Sequence, residues 1–178
     1  GKKTKIYCKH DPIGQLAKEG NWFSTKEKTN FDTLNLLSTA TTNVSLISIN
    51  GSLYQNTGAN MVQQIAYSLA HANEYFNRIP KINQPIVFEI AVGTNYFFEI
   101  AKLRALRSLF NLIAKEYSHK FDCHLLVSPT KRNKTLYDYN VNMLRTTTEC
   151  MSAMLGGAGA FAIFRLVFLF FIDYVFGD

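Results

Sequence analysis

The stretch Gly93 to Tyr117, GTNYFFEIAKLRALRSLFNLIAKEY, constrains the fold most, because it follows directly on the apolar run Ile86 to Val92. Leu103, Leu106, Phe110, Ile113 and Tyr117 recur at intervals of three and four, and Arg104, Arg107, Ser108, Asn111 and Lys115 do the same on the opposite side. This pattern predicts an amphipathic helix with one face in the core and one in water. Thr94 or Asn95 can cap its start, since their side-chain oxygens reach the free amides of a first turn. A buried strand that turns at once into a long helix is the repeating half of a parallel α/β sheet.

The rest of the chain follows the same alternation. Residues 4 to 8 are β-prone, and Asp11-Pro12 opens a short helix that Gly20 stops. Phe31, Leu34 and Leu37 stand at helical spacing. Val44 to Asn50 reads as a strand covered on both faces, ended by Gly51. A helix after Gly58, running to about Asn77, carries Val62, Ile65, Ala66, Leu69, Ala72 or Asn73, and Phe76 on one stripe, and Pro80 and Pro85 bracket the linker that follows. Cys123 to Val127 is the next strand, and Pro129 to Lys134 is a basic loop. Thr135 with Asp138 looks like a capping box for a helix bearing Leu136, Tyr139, Met143, Thr147, Cys150, Met151 and Met154 along one side. Units of about 40 residues with right-handed crossovers give a parallel sheet, either open and doubly wound or part of a (β/α)8 barrel. A part-barrel leaves sheet edges unpaired, so the natural protein is expected to be longer than this chain.

Composition excludes several classes. The 178 residues are 47% hydrophobic and 18% charged, as in a folded globular domain. Cys8, Cys123 and Cys150 are odd in number and far apart, which fits neither a disulfide framework nor a four-ligand zinc site and points to a reducing cytoplasm. The net charge of +6 comes largely from Lys2, Lys3, Lys5 and Lys9 and from Lys131, Arg132 and Lys134. These read as a solvated terminus and a solvated loop rather than a nucleic-acid surface. The lysine-rich start is not followed by an apolar leader, and the lack of Met at position 1 suggests an earlier natural start. Phe161 to Phe176 is an apolar tail, interrupted by Arg165 and Asp173 and short of the roughly 20 residues of a membrane span. A buried strand pair or a local departure such as a shifted reading frame are the other readings.

Several stretches, in order, carry a resemblance. Asn95 to Ala105 (NYFFEIAKLRA) is similar to the N-F-F-x-E-[VI]-A-K-L-R-A segment of the methylmalonyl-CoA mutase family. Ser48 to Ala59 resembles its S-I-S-G-x-x-x-Q-x-x-G-A, Leu144 to Met151 its V-R-T-x-x-E-A-M, and Asp11 to Ala17 its D-P-L-G-x-L-A. The resemblance implies part of a TIM-type (β/α)8 barrel over residues 1–158, with a tail at 159–178 that departs from the family pattern. It also implies the interconversion of succinyl-CoA and methylmalonyl-CoA with adenosylcobalamin.

In catalytic members a Tyr-His pair follows the S-x-S-G strand end, and the histidine donates to the substrate thioester carbonyl. Here those positions are Ser52 and Leu53. Where catalytic members carry R-T-H-S-Q-T-S-G-W, this chain has His124 to Arg132. Ser52, Leu53, Tyr54 and Gln55 are therefore expected to form a vestigial pocket. The pattern is most like the small, non-catalytic subunit of a heterodimer. The large catalytic subunit would hold adenosylcobalamin and the acyl-CoA, and this chain itself would bind no cofactor. A family member acting on another acyl-CoA, and a basic membrane- or nucleic-acid-associated module, are the alternatives.

The remaining motifs are weaker. Asp122-Cys123-His124 matches the D-x-H of a cobalt-ligating loop, but Val127 stands where that motif needs glycine and the segment reads as a strand. His119, Cys123 and His124 span a helix end and a strand and do not converge as zinc ligands. His10 and His71 lack any partner within helical reach that would form a base and nucleophile pair.

Overall fold

The computed structural model describes residues 5–24, 27–40, 44–79, 82–135 and 137–162. Five parallel strands lie in sequence order: β1 (Ile6–His10), β2 (Val44–Asn50), β3 (Val87–Val92), β4 (His124–Pro129) and β5 (Ala160–Phe161). The helices between them are α1 (Pro12–Glu19), α2 (Glu27–Ala40), α3 (Gly51–Asn56), α4 (Met61–Arg78), α5 (Tyr96–Glu116) and α6 (Tyr139–Leu155). A doubly wound sheet reverses strand order at a switch point. This one never reverses, which decides between the two α/β arrangements in favour of a partial barrel.

The sheet curls. In a flat sheet β1 and β4 would stand about 14 Å apart, three strand spacings. Yet the Tyr7 ring of β1 stacks on the His124 ring of β4 with centroids 3.8 Å apart and planes within 9°. Lys9 of β1 likewise reaches Glu89 of β3 at 2.8 Å across the same concave face. Along β4 the outward residues Leu125, Val127 and Pro129 are buried under helices, while the inward His124, Leu126 and Ser128 are only half-buried.

The helix side is the core. Phe88, Ile90 and Val92 of β3 pack outward, Leu103, Leu106 and Phe110 of α5 are fully buried against them, and the Phe88 and Phe110 rings meet edge to face at 5.2 Å. Ile113 packs at the margin of this cluster. Leu69, Ala72 and Phe76 of α4 are buried as their stripe predicts, whereas Val62 in its first turn is 74% exposed. Asp11 caps α1 by accepting from the Gly14 amide, Pro12 takes the first helical position, and Gly20 ends the helix in the left-handed region at φ 73°.

Asn95 stands at the N-cap of α5 but makes no side-chain capping hydrogen bond, and four further sequence expectations are corrected. α3 begins at Gly51 itself, directly after β2, because the Asn50 side chain accepts from the Leu53 amide and starts a helix too short for periodicity to reveal. α6 is capped by Asp138, which accepts from the Val141 amide, and not by a box starting at Thr135. The side of α6 holding Tyr139, Met143, Met151 and Met154 is exposed, and the buried residues are Asn142, Thr146, Glu149, Ser152 and Ala153. Small residues let α6 lie close to α5: a Cβ on Gly156 would fall 2.7 Å from Leu103 Cδ1. Leu136 and the tail from 163 onward lie outside the described residues.

The last correction concerns Arg107, which faces water in the helical pattern. Its guanidinium donates to Asp122 Oδ2 at 2.5 Å, to the Cys123 carbonyl at 3.0 Å and to the Gly157 carbonyl at 2.9 Å. Arg104 donates to the Leu155 carbonyl at 3.0 Å. The water face of α5 thus anchors the end of α6, whose last carbonyls lack intrahelical partners.

Candidate functional site

In parallel barrels the loops at the carboxyl ends of the strands carry chemistry. Here that end is held by three buried carboxylates, one for each of the turns after β1, β3 and β4. Glu99 of α5 accepts from the Gly93 amide at 2.9 Å and pairs with Lys102, whose ammonium donates to the Ala91 carbonyl at 2.7 Å. Burial pulls the Lys102 pKa down, and the Glu99 carboxylate offsets part of that. Glu149 of α6 accepts from Asn133 Nδ2 at 2.6 Å and Lys134 Nζ at 2.5 Å, fixing the loop after β4.

Asp11 is the third. One carboxylate oxygen accepts from the Gly14 amide at 2.8 Å and the Tyr75 hydroxyl at 2.7 Å, and the other from the Asn50 amide at 2.7 Å. His71 Nε2 lies 3.0 Å from the same carboxylate, within ion-pair distance though off the line of a hydrogen bond. Burial pushes the Asp11 pKa up, but the nearby His71 ring and the donors from Tyr75 and Gly14 outweigh it and hold the carboxyl below its usual range. On its other side His71 Nδ1 is 3.1 Å from the Tyr54 hydroxyl. This Asp11–His71–Tyr54 chain joins β1, α4 and α3. It was invisible in sequence, where Asp11 and Tyr54 stand 60 and 17 positions from His71. Burial and the nearby Asp11 charge raise the Tyr54 pKa, so its phenol stays protonated.

The four expected pocket residues sit together on α3. The Ser52 hydroxyl lies 2.6 Å from Asn50 Oδ1, the atom that also accepts from the Leu53 amide. Leu53 is half-buried, and Gln55 is buried with its Oε1 unpartnered. The basic loop folds over them: Arg132 donates to the Gln55 and Ala59 carbonyls at 3.3 and 3.4 Å, and the Lys131 amide to Asn56 Oδ1 at 3.0 Å. Arg132 is thereby a structural strap, a role its loop position in the sequence did not reveal.

A corrin cofactor does not fit the look-alike motif. His124 points into the concave face, its ring stacked on Tyr7 and so close to Gly159 that a Cβ there would fall 2.6 Å from it. Burial, and then the Arg107 charge, lower its pKa, so the ring is neutral but not free to project. Asp122 is exposed and engaged by Arg107. Among the described residues no three His, Cys, Asp or Glu side chains converge as a metal site.

A profile of the Methylmalonyl-CoA mutase family matches residues 3–165. The chain is 32% identical over 130 residues to the methylmalonyl-CoA mutase small subunit of Porphyromonas gingivalis, covering 66% of this chain and 21% of that protein. It is 37% identical over 123 residues to the methylmalonyl-CoA mutase of Cereibacter sphaeroides, covering 62% and 17%. With the small subunit from Streptomyces virginiae it shares 29% identity over 164 residues, covering 86% and 26%. The chain thus spans about a fifth of the length of the curated relatives it matches.

Proposed function

This chain belongs to the methylmalonyl-CoA mutase family, and from that premise we propose that it is part of the barrel of a small, non-catalytic mutase subunit. In this reading a large catalytic subunit holds adenosylcobalamin and the acyl-CoA, interconverts succinyl-CoA and methylmalonyl-CoA, and gains a folded, heterodimeric partner from this chain. The cytoplasm is the proposed location, in line with three cysteines that form no disulfide. Among the described residues no helix is long and apolar enough to cross a membrane.

The observation that carries the reading is the mouth of β2. A site that activates a thioester must aim a hydrogen-bond donor at the carbonyl oxygen as it gains charge. Leu53 has no hydrogen to give, and the Ser52 hydroxyl is taken up 2.6 Å from Asn50 Oδ1. The concave face behind it adds support. The Tyr7–His124 stack and the Lys9–Glu89 pair lie across the concave face and occupy space that a substrate held there would need.

A second reading, a catalytic chain acting on an acyl-CoA, is favoured by the 37% identity to the Cereibacter protein, whose name carries no subunit label. One experiment separates the two. The complete small subunit is purified alone, cobalamin uptake is measured by equilibrium dialysis, and methylmalonyl-CoA turnover is followed before and after the large subunit is added. No uptake and no turnover alone, with turnover on mixing, is the expected result. Stoichiometric uptake, or turnover without the large subunit, would overturn it. Leu53→His in the complex should leave turnover unchanged.

A further inference from the structure

At the opposite end of the sheet from the mouth, where α4 and α5 finish, lies a cavity of about 360 Å³. Its walls are aromatic. The Phe76 and Tyr117 rings stack with centroids 4.9 Å apart and planes within 14°, and the His119 ring stands 5.3 Å from Phe76 and 5.6 Å from Phe121. The Tyr117 hydroxyl is already engaged, 2.8 Å from Asn73 Oδ1 and from Asn77 Oδ1. Ser118, at φ 54°, turns the chain so that His119 points back beneath α4.

Among the described lining residues His119 carries a buried polar atom without a partner. Its Nδ1 is 3.1 Å from the Ile82 carbonyl oxygen. A carbonyl only accepts, so Nδ1 carries the proton and Nε2 is left as a bare acceptor. That nitrogen is buried with no hydrogen-bond partner. Burial lowers the pKa of the ring, although its bond to Ile82 opposes this, so the neutral tautomer prevails at neutral pH. A buried acceptor with nothing to accept is a destabilised group, and in a native fold it calls for a donor.

We propose that this cavity is a binding site for a small, flat aromatic molecule carrying one N–H or O–H donor, of the indole or phenol class. The ring lies among Phe76, Tyr117 and Phe121, and the donor reaches His119 Nε2. Offset and edge-on contacts between rings favour such a guest beyond simple area burial. Lys120 at the rim disfavours a cation. The donor's approach to the buried Nε2 requires Phe121, which is 42% exposed, to turn aside. The site lies away from α3 and does not depend on the mutase reading.

The test uses the full 178-residue chain, indole, and benzofuran, which matches indole in shape but has no N–H. The ¹⁵N resonance of His119 Nε2 reports directly on the acceptor. Indole should move that resonance saturably and bind roughly 2- to 10-fold tighter than benzofuran, the worth of one net hydrogen bond. His119→Phe, which keeps the aromatic wall, should abolish the preference, and an unchanged urea midpoint would show that the fold is kept. Three outcomes overturn the proposal: no movement of the resonance up to the solubility limit of indole, equal affinity for the two compounds, or an Nε2 already hydrogen-bonded before indole is added, which marks an internal water.

Discussion

Replacing Arg107 by Ala removes a guanidinium that bonds two segments at once. One is the entry to β4, through Asp122 and the Cys123 carbonyl, and the other is the exit from α6, through the Gly157 carbonyl. The ion pair is exposed, with Arg107 at 30% and Asp122 at 55%, and is therefore worth at most about 1 kcal/mol. Each bond from a charged donor to a carbonyl contributes about 1.5–3 kcal/mol when buried, and roughly half that where water can replace it. The expected loss is about 2–3 kcal/mol in urea melts followed by circular dichroism. Arg104→Ala, which loses one bond at an exposed helix end, should cost about 1 kcal/mol. Salt at 1 M shortens the screening length to about 3 Å and should erase only the Asp122 part. Arg107→Lys should recover some of the loss, since one ammonium cannot span acceptors on two segments. A loss within about 0.5 kcal/mol, the usual result at a surface position, would refute the tether and return Arg107 to the water face.

Leu106→Ala, fully buried between α5 and the sheet, should cost about 2–5 kcal/mol in the same melts. Glu149→Gln leaves the Lys134 ammonium buried without its countercharge and should cost about 3–5 kcal/mol, while Lys134→Met with Glu149→Gln should recover part of it. Asp11 has a folded-state pKa below its unfolded value, so its stabilisation is present above the unfolded pKa and lost as pH falls through the folded one. Asp11→Asn should therefore flatten the acid limb of a stability-against-pH curve, and an unchanged slope below pH about 4 would contradict the assignment.

The legible parts of this protein were those governed by short-range repetition. The α5 core face, the β2 and β3 strands and the Asp11-Pro12 start of α1 all appear in the order of residues, because periodicity and capping act within a turn or two. α3 was not legible, since a helix of six residues has no period to show. The α6 face was misleading because apolar periodicity assumes that the buried side is the oily one. Here the neighbouring helix and the loop after β4 ask for small residues and for the Glu149 carboxylate.

The candidate site divides along the same line. That Leu53 offers no donor follows from the residue type alone. That the Ser52 hydroxyl is also taken up, by Asn50, needed coordinates. The Asp11–His71 contact joins residues 60 apart, and the Tyr7–His124 stack joins residues more than a hundred apart. Sequence determined which elements form, because each is fixed by interactions among near neighbours. Only the tertiary structure decided which end of α6 the arginines hold, which carboxylates are buried and what fills the concave face, because those depend on how far a parallel sheet curls before distant side chains meet.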